Sequence, residues 1–264
     1  MNISIDGIDN GNSFDWGKTS NDYAKYRDIY PEKFYQNLLS HGIGTEGQHV
    51  LDIGTGTGVL PRNMYKYGAK WAGTDISENQ IIQAKRLATE AGMNIEFSAV
   101  PSEAINYPDE SFDAITACQC IWYFDHKTVS PNLHRMLKKG GKLALLYMAW
   151  LPFEDKIANA SEELVLKYSP EWNGAREIRK PMWVPDEYLE HFDITCREQY
   201  DVNIPFTRET WNGRMKACRG VSASLTEDKV KEWEIEHIKL LSEIAPEEFE
   251  ILHHVAVAIL TKKS

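Results

Sequence analysis

The stretch Val50-Leu51-Asp52-Ile53-Gly54-Thr55-Gly56-Thr57-Gly58 decides the fold. Val50–Ile53 reads as a buried strand, glycines then recur at every second position, and a helical pattern runs on to about Tyr67. Glycine lets a backbone come close to a ligand, and the free N–H groups at a helix start favour a negative group there. Asp75 lies 21 residues beyond Gly54, at the end of the next short strand, Trp71-Ala72-Gly73-Thr74-Asp75. In nucleotide-binding folds a carboxylate at that spacing accepts hydrogen bonds from both ribose hydroxyls.

The spacing is G-x-G-x-G. A dinucleotide turn would place its third glycine at position 59, which is Val59, and no G-K-[ST] follows, so a triphosphate loop is excluded. The turn suits the small carboxylate and amine of a methionine moiety better than a pyrophosphate. Outward from it, strand and helix patterns alternate. Lys70–Thr74, Ile95–Ser98, Phe112–Ala117 and Lys142–Met148 read as strands; Ser77 caps a helix to about Ala91, and His126–Lys138 forms another, closed by Gly140-Gly141. After Ala149 come a helix over Phe153–Tyr168, a Trp/Pro-rich stretch, a strand over Ile194–Ile204, helices over Thr207–Ala217 and Thr226–Ile244, and a last strand over Phe249–Leu260. Seven strands in this rhythm predict an α/β, doubly wound, mostly parallel sheet of the Rossmann-like kind with a helical lid. The expected division is residues 1–45 as N-terminal arm and lid helix, 46–150 as cofactor-binding core, and 151–264 as the last two strands with helical cap insertions. The polar first 18 residues read as an arm or flexible lid, and Pro31 permits either a break or a fresh helix start within Asn21–His41.

Acidic residues number 39 against 29 Lys and Arg, a formal net charge of −10, which disfavours binding to phosphate backbones; no nucleic-acid partner is expected. The N-terminus lacks the basic and apolar regions of a secretory signal, and no apolar run reaches the roughly 18 residues of a membrane span. A chain without a membrane partner, and a cytoplasmic location, are therefore expected. Cys118 and Cys120 form a C-x-C pair without the spacing of a zinc site, so no metal is expected and both read as small buried hydrophobes.

With these motifs in hand, the chain resembles the class I S-adenosylmethionine-dependent methyltransferases, in the small-molecule branch that includes trans-aconitate and quinone methyltransferases. The resemblance runs from about Tyr23 to Met148 and is carried by five segments in order. These are Tyr23–Pro31, the glycine turn Val50–Gly58, Asp75-Ile76-Ser77, Pro108–Asp113 before the fourth strand, and Leu137–Gly141 before the fifth. It implies that Gly54, Thr55 and Gly56 hold the methionine part through backbone groups, with Asp52 near its amino group. Asp75 would bind the ribose, Ile76 would pack on adenine, and Gln80 would border the pocket. Ser102 and Glu103 fall where the family recognises the adenine edge; the usual aspartate of that loop is replaced by Pro101. Tyr23, Tyr26 and Arg27 would close over the cofactor, although an amphipathic helix packed on a core would show the same pattern.

Methyl transfer from a sulfonium needs little beyond positioning and desolvation, and a cationic sulfonium favours aromatic faces and oxygen acceptors. Downstream of the fourth strand lies Cys118-Gln119-Cys120-Ile121-Trp122-Tyr123-Phe124, at the strand end where ligands sit in doubly wound sheets. Cys118, Gln119 and Tyr123 are expected beside the cofactor and Trp122 beside the acceptor, or else these aromatics pack beneath the lid. Trp211 and Arg214 offer an aromatic wall and an anion anchor for an acidic acceptor, with Arg219 nearby; an ion pair is the plainer use of such arginines. His126 and Tyr123 are the candidates for a catalytic base. His253 and His254 point to opposite faces of a strand, one expected in the core and the other exposed. The competing classes are a nicotinamide-dependent oxidoreductase, against which Val59 counts, and a cofactor-binding regulatory module without catalysis. The sequence leaves oligomeric state open.

Overall fold

The computed structural model describes residues 2–264. Strand β1 (His49–Ile53) is buried from Val50 onward because it has neighbours on both sides. It pairs in parallel with β2 (Lys70–Asp75), Leu51 opposite Ala72, and with β4 (Phe112–Cys118), Leu51 opposite Ile115. A central parallel strand is covered on both faces, so it carries an apolar run rather than an alternation. β3 (Glu96–Ala99) pairs with β2, and β5 (Leu137–Trp150) with β4, again in parallel. With β6 (Phe192–Thr207) and β7 (Glu248–Lys262) the order is β3-β2-β1-β4-β5-β7-β6, a seven-stranded doubly wound sheet. The chain winds outward from β1 through β2 to β3, then returns to β4 on the other side of β1. That reversal is the switch point at which such sheets bind ligands, beyond the carboxyl ends of the strands.

Nine α-helices accompany the strands among the described residues: α1 (Ser20–Tyr26), α2 (Glu32–Ser40), α3 (Val59–Met64), α4 (Glu78–Glu90), α5 (His126–Met136), α6 (Lys156–Tyr168), α7 (Asp186–Leu189), α8 (Arg208–Lys216) and α9 (Glu227–Ile244). Their starts follow local chemistry. Ser77 Oγ accepts the Gln80 N–H at the head of α4, and the Asp125 carboxylate accepts the Lys127 N–H at the head of α5. Pro31, extended at ψ 160°, begins α2 afresh instead of kinking one long helix.

Two expectations are corrected here. Gly140-Gly141 does not close α5, which ends at Met136; the pair lies inside β5. Phe112 pairs with Leu137 but Ala114 with Lys142, so β5 carries extra residues there, and Gly140 takes φ +70° to absorb them. His253 and His254 are both buried, at 0% and 2% exposure, so both faces of β7 are covered at this point. Burial pushes His253 down to about 3, so it is neutral.

The chain divides into two compact units, Met1–Ile29 with Ala149–Arg179 and Asp201–His254, and Tyr30–Met148 with Lys180–Tyr200 and Val255–Ser264. The second is built around Leu51, Ile53, Ile115, Leu143, Leu145 and Leu133. In the first, Trp211 and Trp233 are fully buried, and the N-terminal residues are fastened where the sequence reads as a flexible arm. Ile3 pairs with Phe14, itself buried, and the Asp9 carboxylate takes a two-pronged ion pair from Arg219 at 2.6 and 2.9 Å.

Candidate cofactor site

Gly54, Gly56 and Gly58 take φ values of +62°, +57° and +73°, the left-handed region closed to most side chains. A Cβ at Gly54 would also lie 2.7 Å from Cys120 Sγ, so both conformation and space require glycine there. The turn is tied across the sheet, with the Thr55 N–H donating to Thr74 O at 2.8 Å and the Gly56 N–H to Asp75 Oδ2 at 2.9 Å. The other oxygen of Asp75 accepts the Ser77 N–H at 2.8 Å. Burial raises the Asp75 carboxyl above its ordinary range.

A carboxylate has about four lone-pair positions, and Asp75 commits two of them to backbone N–H groups. Two remain for a vicinal diol. Beside it Ile76 leaves the end of β2 with 36% of its surface exposed, an apolar platform next to the carboxylate. These residues fit the ribose and base of an adenosyl group on a turn shaped for a compact amino-acid tail.

Asp52, expected near the ligand's amino group, is held by hydroxyls on both of its oxygens. It is buried, with Oδ1 accepting from the Thr116 hydroxyl and Oδ2 from the Thr55 hydroxyl, both at 2.6 Å. It therefore locks the glycine turn to β4. Thr116 was missed by the sequence reading; its signal is register, since Thr116 stands opposite Asp52 in the ladder. Burial, opposed by the two hydroxyls, pushes Asp52 up from 3.8 to about 7. A raised carboxyl favours the native state when protonated, so this stability is fully present below pH 3.8 and is lost as pH rises through about 7. In Asp52→Asn the amide can still satisfy both hydroxyls, which donate or accept. Denaturation midpoints of Asp52→Asn are expected to vary less between pH 4 and 8 than those of the parent. Superimposable profiles would remove Asp52 as the titrating group.

At the end of β4, Gln119 takes φ +62°, uncommon for a residue that is neither glycine nor asparagine; its amide donates to Met148 O at 2.7 Å. Strain of this kind gathers at ligand sites. Cys118 Sγ donates to the Tyr30 hydroxyl at 3.3 Å, while the Cys120 thiol donates to Ile53 O and is held protonated by burial. Trp122 is half-buried, edge-on to Tyr123 and Tyr147, and Phe124 lies over Gly54. Gln80 and Ser102 are buried. Glu103 Oε1 accepts the Asp125 N–H at 2.9 Å, tying its loop to the head of α5. His126 packs between Trp183 and Tyr188, and burial lowers its pKa.

The remaining candidates belong to the other compact unit. Tyr23 faces Trp16 and Arg27, whose guanidinium lies 4.5 Å from its ring centre and donates to its hydroxyl. Tyr26 turns instead to α8, covering Gly213 and sharing Glu209 with Lys25, so the two tyrosines have separate partners. Trp211 is fully buried and its indole N–H donates to Ser161 Oγ at 2.9 Å; Arg214, 3% exposed, stacks 4.9 Å over Trp150. Ser161 Oγ is also 3.0 Å from His237 Nε2, and His237 Nδ1 is 2.8 Å from Asn212 Oδ1. That chain resembles a nucleophile–base constellation, but Ser161 and His237 are wholly buried, and it serves as internal polar packing.

Residues 51–145 match the family described as a methyltransferase domain. With the sheet order and the glycine turn, this match supports a class I S-adenosylmethionine-dependent methyltransferase, with S-adenosylmethionine as its cofactor. Among curated proteins it is similar to the ubiquinone biosynthesis O-methyltransferase of Pseudomonas fluorescens, 27% identical over 167 residues, 62% of this chain and 70% of that one. The corresponding enzyme of Pseudomonas paraeruginosa is 27% identical over 189 residues, 68% and 79% of the two chains. The fold is shared with the YcgJ protein of Bacillus subtilis, at 19% identity and a TM-score of 0.53 over 88% of this chain and 100% of that one. It is shared as well with the MccD protein, at 16% identity and a TM-score of 0.54 over 88% and 97%.

Proposed function

We propose that the acceptor is a small organic molecule bearing a hydroxyl, methylated on oxygen. The similarity to O-methyltransferases of ubiquinone biosynthesis supports an oxygen acceptor, and the net charge of −10 speaks against a nucleic acid. When bound, S-adenosylmethionine supplies an electrophilic methyl group on a cationic sulfonium. The protein's own residues then position and exclude water. Gly54, Thr55 and Gly56 hold the amino-acid tail, Asp75 the ribose, and Ile76 with Ser102 the adenine. Gln119 with Trp122 and Tyr123 lines the path to the acceptor. His126, clasped between Trp183 and Tyr188, is assigned to packing, so positioning is the main catalytic device. Residues 46–150 carry the cofactor, and the segments on either side supply closing and acceptor-facing elements. A cytoplasmic location is part of this reading; among the described residues no helix is long and apolar enough to cross a membrane.

The observation that carries the reading is the half-used Asp75 carboxylate clamped to the glycine turn. Calorimetry is expected to show binding of S-adenosylmethionine and S-adenosylhomocysteine and none of NAD. Incubation with a methyl-labelled donor and a pool of small hydroxylated metabolites is expected to yield a labelled methoxy product. NAD binding would favour an oxidoreductase. Donor binding without transfer to any acceptor class would favour a regulatory module, and label on RNA would overturn the acceptor assignment.

A further inference from the structure

The sequence spacing gives no metal motif, yet the fold brings His41 to Cys196 and Glu198, 155 and 157 residues further along the chain. His41 stands at the C-terminus of α2, where Gly42 takes φ +67° and the turn closes with Ile43 N–H donating to Leu38 O and Gly42 N–H to Leu39 O. Ile43 and Leu38 are both fully buried, which completes a Schellman turn and fixes the position of His41. Cys196 and Glu198 are two apart on β6 and so project from the same face of the strand. His41 Nε2 lies 3.1 Å from Glu198 Oε1, Cys196 Sγ lies 3.4 Å from that oxygen, and Sγ and Nε2 are 4.0 Å apart.

We infer that His41, Cys196 and Glu198 form a binding site for a divalent metal ion of zinc type, separate from the methyl-transfer site. Tetrahedral coordination with Zn–N and Zn–O near 2.0 Å and Zn–S near 2.3 Å places ligand atoms roughly 3.3–3.6 Å apart. The observed triangle of 3.1, 3.4 and 4.0 Å closes on that geometry with side-chain shifts of a few tenths of an ångström. All three ligand atoms lie within 4.8 Å of one another and each residue is partly exposed. A thiolate with an imidazole selects zinc, cobalt or a similar ion over magnesium or calcium. The outer layer is already set, because the Asn37 amide donates to Glu198 Oε2 and orients the carboxylate. A surface cavity of about 660 Å³, lined in part by Asn37, Ser40 and Glu198, opens onto the Glu198 side of the cluster. Since β6 is the edge strand of the sheet, the ion would staple α2 to that edge.

The test uses the full chain after chelator treatment and dialysis. Titration with cobalt(II) is expected to give one equivalent of a tetrahedral centre, with intense visible bands and a thiolate-to-metal charge-transfer band in the near ultraviolet. Zinc is expected to displace it and to raise the thermal midpoint. Cys196→Ser should abolish the charge-transfer band and His41→Gln should weaken zinc binding at least tenfold, both with an unchanged far-ultraviolet spectrum. Magnesium should bind neither protein. A charge-transfer band that survives Cys196→Ser, octahedral cobalt spectra, or no stoichiometric binding at micromolar zinc would overturn the proposal. Because donor binding is read separately by calorimetry, failure here leaves the methyltransferase reading intact.

Discussion

Asp75→Ala is expected to lower the affinity for S-adenosylmethionine and S-adenosylhomocysteine by about 30- to 150-fold, or about 2–3 kcal/mol, measured by calorimetry. Two effects combine. In the proposed site the side chain offers two acceptor positions to the ribose hydroxyls, and hydrogen bonds to a charged group are the costly ones to lose. It also accepts the Gly56 N–H, so its removal loosens the glycine turn proposed to hold the amino-acid tail. Asp75→Asn keeps one carbonyl oxygen and should fall between the parent and Asp75→Ala. The fold itself should suffer far less, because burial already disfavours the Asp75 charge and removing it relieves that cost. A large drop in thermal midpoint with little change in affinity would assign Asp75 to structure alone. Unchanged affinity in a folded variant would remove the ribose role.

The contrast between Asp75 and Asp52 shows what a sequence can carry. The placement of Asp75 beside the glycine turn is legible because its chemistry is local: a strand end, a glycine turn and a fixed spacing put it there. Asp52 has the same local signature, yet its partners Thr55 and Thr116 turn it inward, and Thr116 enters only through strand register. The same holds for histidines. Alternation along Phe249–Leu260 correctly sends His253 and His254 to opposite faces. That both faces of β7 are covered there is set by what packs on the sheet, which alternation does not reveal. Trp211 and Arg214 share a helix and look like an acceptor wall; their partners Ser161 and Trp150 are 50 or more residues away in sequence, and no periodicity announces them. Elements set by nearest-neighbour chemistry, such as the Ser77 cap, are readable, while Pro31 fits either a break or the fresh start that the fold takes. Side-chain destinations set by distant pairings are not.

The longest-range of those pairings carries the largest stability prediction. Asp9→Ala is expected to destabilise the protein by about 3–5 kcal/mol, measured by chemical denaturation, because it strands a buried guanidinium. Arg219 and Asp9 are 210 residues apart and only 8% and 7% exposed, and Arg219 also donates to Asn173 Oδ1 at 2.7 Å. Asp9 in turn accepts the Asn173 N–H at 2.9 Å, so three segments of the chain meet on one carboxylate. Asp9 and Asn10 take φ of +48° and +52°, a left-handed pair that aspartate and asparagine tolerate better than most residues, which presents the carboxylate to Arg219. The double variant Asp9→Ala with Arg219→Ala should cost less than the sum of the single changes, since it leaves no unpaired charge. Limited proteolysis of Asp9→Ala should begin in the first 18 residues, which the ion pair fastens. The competing use of Arg219, as an anchor for an acidic acceptor, makes the opposite forecast. Removing Asp9 would then free the guanidinium and tighten acceptor binding with little loss of stability. Arg219 is buried and commits three of its five N–H donors to Asp9 and Asn173, contacts that hold this unit together, so the loss should fall on folding and not on catalysis.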